Sequence, residues 1–201
     1  MEVWRSSAST CLIDVYDYSV VGVPLDATRN VLVLPILGLL VEQPAHAYDL
    51  AVRLDDRYPH LKARRSSVVT LVKSLAANGL LLPDAPVSVA NRPARTTYRL
   101  TDAGVTLFRS RVREGLAHAM PASTDFLTAV AYLGILPTTD AITVLRTRAE
   151  RLRRETPMIP PDLPEIQMIE VHYWLRMLAT EITWLTETAD RLAAGDLEVL
   201  A

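Results

Sequence analysis

Basic and hydroxyl-bearing side chains are concentrated in one short stretch of the chain, where they could bind an anionic polymer. The stretch contains Arg64, Arg65, Ser66, Ser67, Thr70, Lys73 and Ser74. Guanidinium and ammonium groups neutralise phosphates, and hydroxyl groups hydrogen-bond to phosphate oxygens and base edges. Apolar residues recur between them at helical spacing, so the polar side chains share one outer face. The pattern predicts a helix that contacts double-stranded DNA. The alternative is an ordinary solvated helix surface.

Two further arginines, Arg92 and Arg95, flank a proline in a segment between two strand-like stretches. Proline stiffens the segment, and the strands on either side predict that it forms the tip of a β-hairpin. Guanidinium groups on a projecting tip can reach phosphates or a minor groove. We therefore predict that these arginines also bind DNA, with a solvated turn as the alternative.

The distribution of charge supports an anionic partner, although the formal net charge of −2 does not. Residues 28–120 carry 13 Lys and Arg against 7 Asp and Glu, whereas residues 121–201 carry 7 against 12. A basic segment beside an acidic one is expected when only the first touches nucleic acid.

The apolar pattern predicts a mainly α protein with a small sheet. Helices are predicted at residues 29–42, 45–58 and 66–78, with caps at Thr28 and at Ser66 or Ser67. An outgoing strand is predicted at residues 80–82 and 87–90, and a returning strand at residues 96–100. Three helices followed by a two-stranded wing predict a winged helix-turn-helix domain at residues 28–120, preceded by an N-terminal extension at residues 1–27.

Four more helices are predicted at residues 101–120, 123–136, 139–154 and 165–194. The last has two apolar faces, one lying along Val171, Trp174, Leu178, Ile182, Leu185, Ala189 and Leu192, and the other along Tyr173, Met177, Thr180 and Trp184. A helix with two apolar faces needs two partners, one of which can be a second subunit. We predict a helical dimerisation and effector domain at residues 121–201, with a homodimer seam at Val171, Leu178, Ile182 and Leu185.

Several classes of protein are not supported by the sequence. The longest apolar run has eleven residues and contains Pro35 and Gly38, which is too short for a membrane span, and no secretory signal is recognisable. A single cysteine and four scattered histidines predict neither a disulfide nor a metal site. Phosphate loops, nucleophile elbows and paired carboxylates are also missing, so we expect no catalytic residues, no cofactor and a cytoplasmic protein.

The chain resembles the PadR family of bacterial regulators. The resemblance rests on residues 34–40 followed by His46, Ala47, Tyr48, Asp49 and Leu50, on residues 67–75 with Asn78, Gly79 and Leu80, and on Arg92 and Pro93 with residues 98–104. It continues through residues 126–137 and 181–185, and so covers about residues 30–193. Ala47 stands where the family usually has Gly, and Val69 where it usually has Tyr.

The resemblance implies a sequence-specific transcriptional regulator that binds operator DNA as a homodimer. The C-terminal helices would form the dimer. It further implies a repressor that is released by a small aromatic or planar ligand. Tyr173, Trp174, Met177 and Trp184 are the candidates to line its pocket, unless they are ordinary dimer-core residues. The alternatives are a winged-helix protein-interaction module or a ligand-independent DNA-binding protein.

Overall fold

The computed structural model describes residues 30–86, 95–156 and 164–197. The predicted extension at residues 1–27, the Thr28 cap, the predicted strand at 87–90 and Arg92 lie outside these residues. None of the helices in the described part of the chain combines the length and the apolar composition that crossing a membrane requires.

The N-terminal half is a three-helix cluster with a small sheet, as predicted. Its helices are α1 (Val33–Glu42), α2 (Ala47–Arg57) and α3 (Arg65–Ala77), with a short 3-10 turn at Pro59–Leu61 before α3. Helix α1 is buried on nearly all sides because it is apolar throughout, and Pro35 is tolerated because it lies in the first turn. Helices α2 and α3 pack against each other through narrower apolar faces.

The sheet has three antiparallel strands where only a two-stranded wing was predicted. The strands are β1 (Ala45–His46), β2 (Leu81–Pro83) and β3 (Thr97–Leu100), in the order β1-β3-β2. Leu81 pairs with Leu100 in the wing, and Ala45 pairs with Tyr98 on the other side of β3. The two residues of β1 are too few to show a strand period in the sequence.

The predicted cap of α3 is wrong. Its N-cap residue is Arg64, so Ser66 and Ser67 lie inside the first turn. Two later helices are capped by side chains. Thr101 accepts a hydrogen bond from the Gly104 amide at the start of Asp102–His118, and Ser123 accepts one from the Phe126 amide at the start of Thr124–Ala131.

The C-terminal half contains the remaining helices. They are α4 (Asp102–His118), α5 (Thr124–Ala131), α6 (Thr138–Glu155) and α7 (Ile169–Ala194), with 3-10 turns at Leu133–Ile135 and Glu165–Met168. The longest helix, α7, lies along α6 and buries Leu178, Leu185, Ala189 and Leu192 there. Gly195 ends it in the left-handed conformation, at φ +80°.

Tyr132 joins the two halves into one core. Its ring packs edge-on against Phe108 of α4 at 5.2 Å between centroids, and its hydroxyl accepts a hydrogen bond of 2.6 Å from Tyr58 at the end of α2. The ring also lies directly over the Cα of Gly38 in α1, where no Cβ would fit. The core is therefore continuous across residue 120, where we predicted the domain boundary.

Candidate nucleic-acid interface and apolar groove

Helix α3 has one buried and one exposed face. Val68, Leu71, Val72 and Leu75 are buried against the rest of the cluster. The predicted DNA-contacting residues Arg64, Arg65, Ser66, Ser67, Thr70 and Lys73 are all exposed on the other face, and Ser74 is half-buried at its edge. The structure thus places these side chains together on one surface that solvent, and therefore a ligand, can reach.

One arginine of this face is held by a residue that the sequence did not single out. Nη1 of Arg65 donates a 2.9 Å hydrogen bond to the hydroxyl of Tyr48 in the first turn of α2. The guanidinium carbon lies 5.2 Å from the centre of the Tyr48 ring, within cation–π range. Tyr48 is part of the stretch that resembles the PadR family, but nothing in its spacing indicated a contact with α3.

The turn before α3 contributes a further cation that sequence reasoning missed. Lys62 is exposed, and its backbone adopts the left-handed conformation at φ +43°. This conformation is unusual for a residue with a side chain, and it redirects the chain into α3. The sequence could have indicated this cation, because Lys62 lies only two positions before Arg64.

The wing contributes one described candidate, Arg95, which is exposed. Arg92 lies outside the described residues, so its placement is untested. Arg99 on β3 forms an ion pair of 3.1 Å with Asp84 after β2, which fastens the two wing strands together at their exposed face.

An apolar groove of about 670 Å³ separates α5 from α7. It is lined by Ala122, Phe126, Leu127, Val130, Tyr173, Arg176, Met177, Thr180, Glu181 and Trp184. Three of the four predicted effector residues therefore meet here. The fourth, Trp174, does not, because its side chain lines a separate small cavity with Met120, Leu152 and Leu178.

The predicted dimer seam includes two residues that the same chain covers. Leu178 and Leu185 are 4% and 0% exposed, because α6 and the other helices of the same chain cover them. Val171 and Ile182 are half-buried. The seam stays a prediction. The opposite face of α7 is the uncovered one, with Tyr173 67% and Trp184 36% exposed.

The floor of the groove rests on a buried ion pair that the sequence did not reveal. Arg148 of α6 is fully buried, and its Nε donates a 2.8 Å hydrogen bond to Glu181 Oε1. Its guanidinium carbon lies 4.1 Å from the centre of the Phe126 ring, and Nη1 donates to the carbonyls of Leu116 and Ala119 at the end of α4. Burial lowers the pKa of Arg148, and Glu181 opposes that effect. In the sequence Arg148 was one of several arginines in α6.

Within the described part of the chain, no group of three or more His, Cys, Asp or Glu side chains could hold a metal ion. The polar groups that come together there are those of the exposed face of α3 and of the groove floor.

The fold and the exposed basic face of α3 define the class of protein, a winged helix-turn-helix protein of the DNA-binding kind. Residues 36–110 match the model of the transcriptional regulator PadR-like family, from α1 through the wing into α4. The match confirms the resemblance to the PadR family over this part of the chain, and it supports a DNA-binding transcriptional regulator.

Several solved structures resemble the chain at low sequence identity. PadR of Bacillus subtilis in complex with operator DNA is 17% identical over 81% of this chain and 99% of its own, with a TM-score of 0.39. The protein smu.1604c from Streptococcus mutans UA159 is 18% identical over 78% of this chain and 96% of its own, also with a TM-score of 0.39. Bacillus subtilis PadR in complex with p-coumaric acid is 16% identical over 82% of this chain and 99% of its own, with a TM-score of 0.36. Superpositions this loose carry no argument about the present chain. No curated protein matches it.

Proposed function

We propose that this regulator is a homodimeric repressor that reads a two-fold related operator with α3 and is released by a small planar aromatic molecule. The observation that carries the proposal is the division of α3, which buries its apolar side chains and exposes its basic and hydroxyl ones. A helix-turn-helix protein inserts such a face into the major groove.

Within the interface we assign distinct roles to the exposed side chains. Ser66, Ser67 and Thr70 lie on the N-terminal part of α3, where they can reach base edges. Arg64, Arg65 and Lys73 carry the positive charge that phosphates attract. Arg92 and Arg95 of the wing contact the neighbouring backbone or minor groove.

The uncovered face of α7 supports a homodimer. Large apolar side chains are exposed there and on the adjoining α5, namely Leu127 at 60%, Ile169 at 55% and Tyr173 at 67%. Contiguous apolar surface of this kind marks an interaction site in a soluble protein. A second copy meets the same surface by two-fold symmetry, which also gives the operator two recognition helices.

The α5–α7 groove is the proposed effector site. Its volume is within the range of small-molecule sites, and Phe126, Met177 and Trp184 offer apolar and aromatic walls to a planar ring. Arg176 lies on the lining and is exposed, so it can pair with an acidic group of the ligand. Glu181 is already neutralised by Arg148 and therefore does not repel an anion.

Helix α5 gives the groove a physical link to the DNA-binding half. Phe126, Leu127 and Val130 line the groove from this helix, and Tyr132 follows directly at its end. Tyr132 bonds to Tyr58 at the end of α2, the helix that packs against α3. A ligand that displaces α5 would therefore disturb the packing of α2 against α3, the proposed recognition helix.

The DNA-binding part is tested by fluorescence anisotropy with a duplex from the region upstream of the protein's own gene. We expect saturable binding that an unrelated duplex of equal length fails to compete away at comparable concentration. Equal competition by the unrelated duplex, with the protein folded and dimeric, would contradict sequence-specific binding.

The effector part is tested by tryptophan fluorescence during titration with planar aromatic molecules, beginning with p-coumaric acid. We expect quenching that Trp184→Phe abolishes and Trp174→Phe preserves, because Trp184 lines the groove whereas Trp174 lines a separate cavity. The same molecule should release the protein from its DNA. A quench that depends on Trp174 instead would place the ligand elsewhere.

A further inference from the structure

Arg65 differs from an ordinary surface arginine because Tyr48 holds it from the side. The hydrogen bond of 2.9 Å fixes the position of Nη1, and the ring at 5.2 Å restricts the plane of the guanidinium. The two residues come from different helices, α2 and α3, and both are exposed. The contact therefore lies at the surface of the helix-turn-helix unit, at the start of the recognition helix.

Folding does not explain this contact. Helix α2 is anchored by Leu50, Ala51 and Leu54 on its buried face, whereas Tyr48 is 50% exposed. Hydrogen bonds and cation–π contacts in water add little to stability, since both groups are well solvated in the unfolded chain. Half of a large aromatic side chain is thus left in solvent, where its clearest contact is with an arginine that faces outward.

We propose that Tyr48 is a positioning residue for DNA binding, which holds Arg65 in its binding orientation before the DNA arrives. This inference rests on the proposed role of α3 in DNA recognition. A free arginine side chain samples many rotamers, and ordering it at the moment of binding weakens the complex. Tyr48 removes part of that cost because the side chain is ordered beforehand.

The chemistry of the pair is suited to this role. A guanidinium has five N–H donors, so the bond to Tyr48 occupies one and leaves the others for phosphate oxygens or base edges. The Tyr48 hydroxyl acts as the acceptor toward Arg65 and keeps its own proton. Replacing Tyr48 by Phe removes the bond but no charge, so affinity should fall while the electrostatic component of binding stays the same.

The experiment is a double-mutant cycle on the upstream duplex with wild type, Tyr48→Phe, Arg65→Ala and the double variant. We expect Tyr48→Phe to weaken binding about 3- to 10-fold and Arg65→Ala to weaken it by about 10-fold or more. The double variant should bind no worse than Arg65→Ala, because Tyr48 acts only through Arg65. Val52→Ala, which alters an exposed side chain of α2 outside the pair, serves as the control and should bind like wild type.

Salt dependence shows whether Arg65 still neutralises a phosphate charge when Tyr48 is replaced. The slope of log affinity against log salt counts the phosphate charges that are neutralised, so Tyr48→Phe should keep the wild-type slope. Thermal midpoints of all variants should agree within a few degrees, which excludes unfolding as the cause.

Two results would overturn the inference while leaving the proposed function intact. The first is a Tyr48→Phe variant that binds like wild type, and the second is additive losses in the double variant, which would mean that Tyr48 acts independently of Arg65. Failure of the wild-type protein to bind the duplex saturably would instead refute the proposed function, and the role of Tyr48 with it.

Discussion

At the scale of single residues, the most consequential contact is that of Tyr132 with Gly38. The two residues are far apart in the sequence, yet the ring of one lies directly over the Cα of the other. Around them, the Tyr58 hydroxyl and the Phe108 ring complete a buried aromatic cluster. The guanidinium of Arg57, which is paired with Glu42, covers this cluster at 5.6 Å from the Tyr132 ring.

Replacing Gly38 by Ala should destabilise the fold because the new methyl group would overlap the Tyr132 ring. Overpacking of a core costs about 1–3 kcal/mol, and we expect the upper part of this range because both partners are buried. Chemical denaturation should show a lower midpoint than wild type.

Gly79→Ala is the matched control for this substitution. Gly79 has φ +72° and open space around its Cα, so alanine there introduces backbone strain but no overlap. Combining Gly38→Ala with Tyr132→Leu should recover part of the loss. A loss at Gly38 that Tyr132→Leu leaves unchanged would show that the overlap is not its cause.

The buried hydroxyl of Tyr132 also predicts how stability depends on pH. Burial, together with the hydrogen bond from Tyr58, raises the pKa of Tyr132 well above its ordinary value near 10. The folded state therefore keeps the proton while the unfolded chain releases it. This contribution to stability is complete below about pH 10 and is lost as the pH rises further.

Above pH 10 we expect the free energy of unfolding to fall more steeply with pH in the wild type than in Tyr132→Phe. The two slopes should differ by about 1 kcal/mol per pH unit. Urea unfolding at a series of alkaline pH values measures both slopes. Parallel curves for the two proteins would refute a raised pKa.

At the scale of elements, the ion pair of Arg148 and Glu181 fastens four helices at one point. Arg148 on α6 reaches Glu181 on α7 and the last carbonyls of α4, and Oε2 of Glu181 accepts a 2.8 Å hydrogen bond from the Ala122 amide just before α5. Ala122 has φ +53°, a strained value that this bond helps to hold. The junction lies directly under the apolar groove.

Arg148→Met should destabilise the protein by about 3–5 kcal/mol, because it leaves the Glu181 carboxylate buried without its cation. Arg146→Ala is the control on the same helix, since its ion pair with Asp190 is exposed and should contribute less than about 1 kcal/mol. Thermal or urea unfolding measures the loss of stability in each of the two variants relative to wild type. The account of the junction would be wrong if both substitutions had the same small effect.

The elements themselves were largely predictable because burial imposes the helical period on the apolar residues. The C-terminal end of α3 follows from Asn78–Gly79, and that of α7 follows from Gly195. The first turn of α3 could not be placed, because Arg64, Arg65, Ser66 and Ser67 in a row offer several starting points. The role of β1 depends on pairing with β3, about fifty residues away, which a local pattern does not encode.

The candidate site was predictable only in part. The exposed residues of α3 were predictable, because the helical spacing of its buried apolar residues leaves the polar ones on the other face. The two faces of α7 were also visible, but the sequence does not say which one α6 covers, and the seam predicted at Leu178 and Leu185 lies on the covered face. Tyr48 and Arg148 act through contacts between separate helices, and such contacts depend on the tertiary packing alone.

At the scale of the whole molecule, one basic surface and one apolar groove lie in different halves that share a core. The proposed DNA-binding surface belongs to the N-terminal half, and the groove and the free face of α7 belong to the C-terminal half. Tyr132 and the end of α5 connect them, so the two activities need not be independent. The central claim is that the outer face of α3 binds the regulator's DNA.

The most direct test compares Lys73→Ala with Arg154→Ala on the upstream duplex at several salt concentrations. Both residues are exposed cations on helices, but only Lys73 lies on the outer face of α3. We predict that Lys73→Ala binds more weakly and loses about 0.9 from the salt slope, whereas Arg154→Ala binds like wild type. Equal binding by the two variants, or a greater loss for Arg154→Ala, would contradict the account.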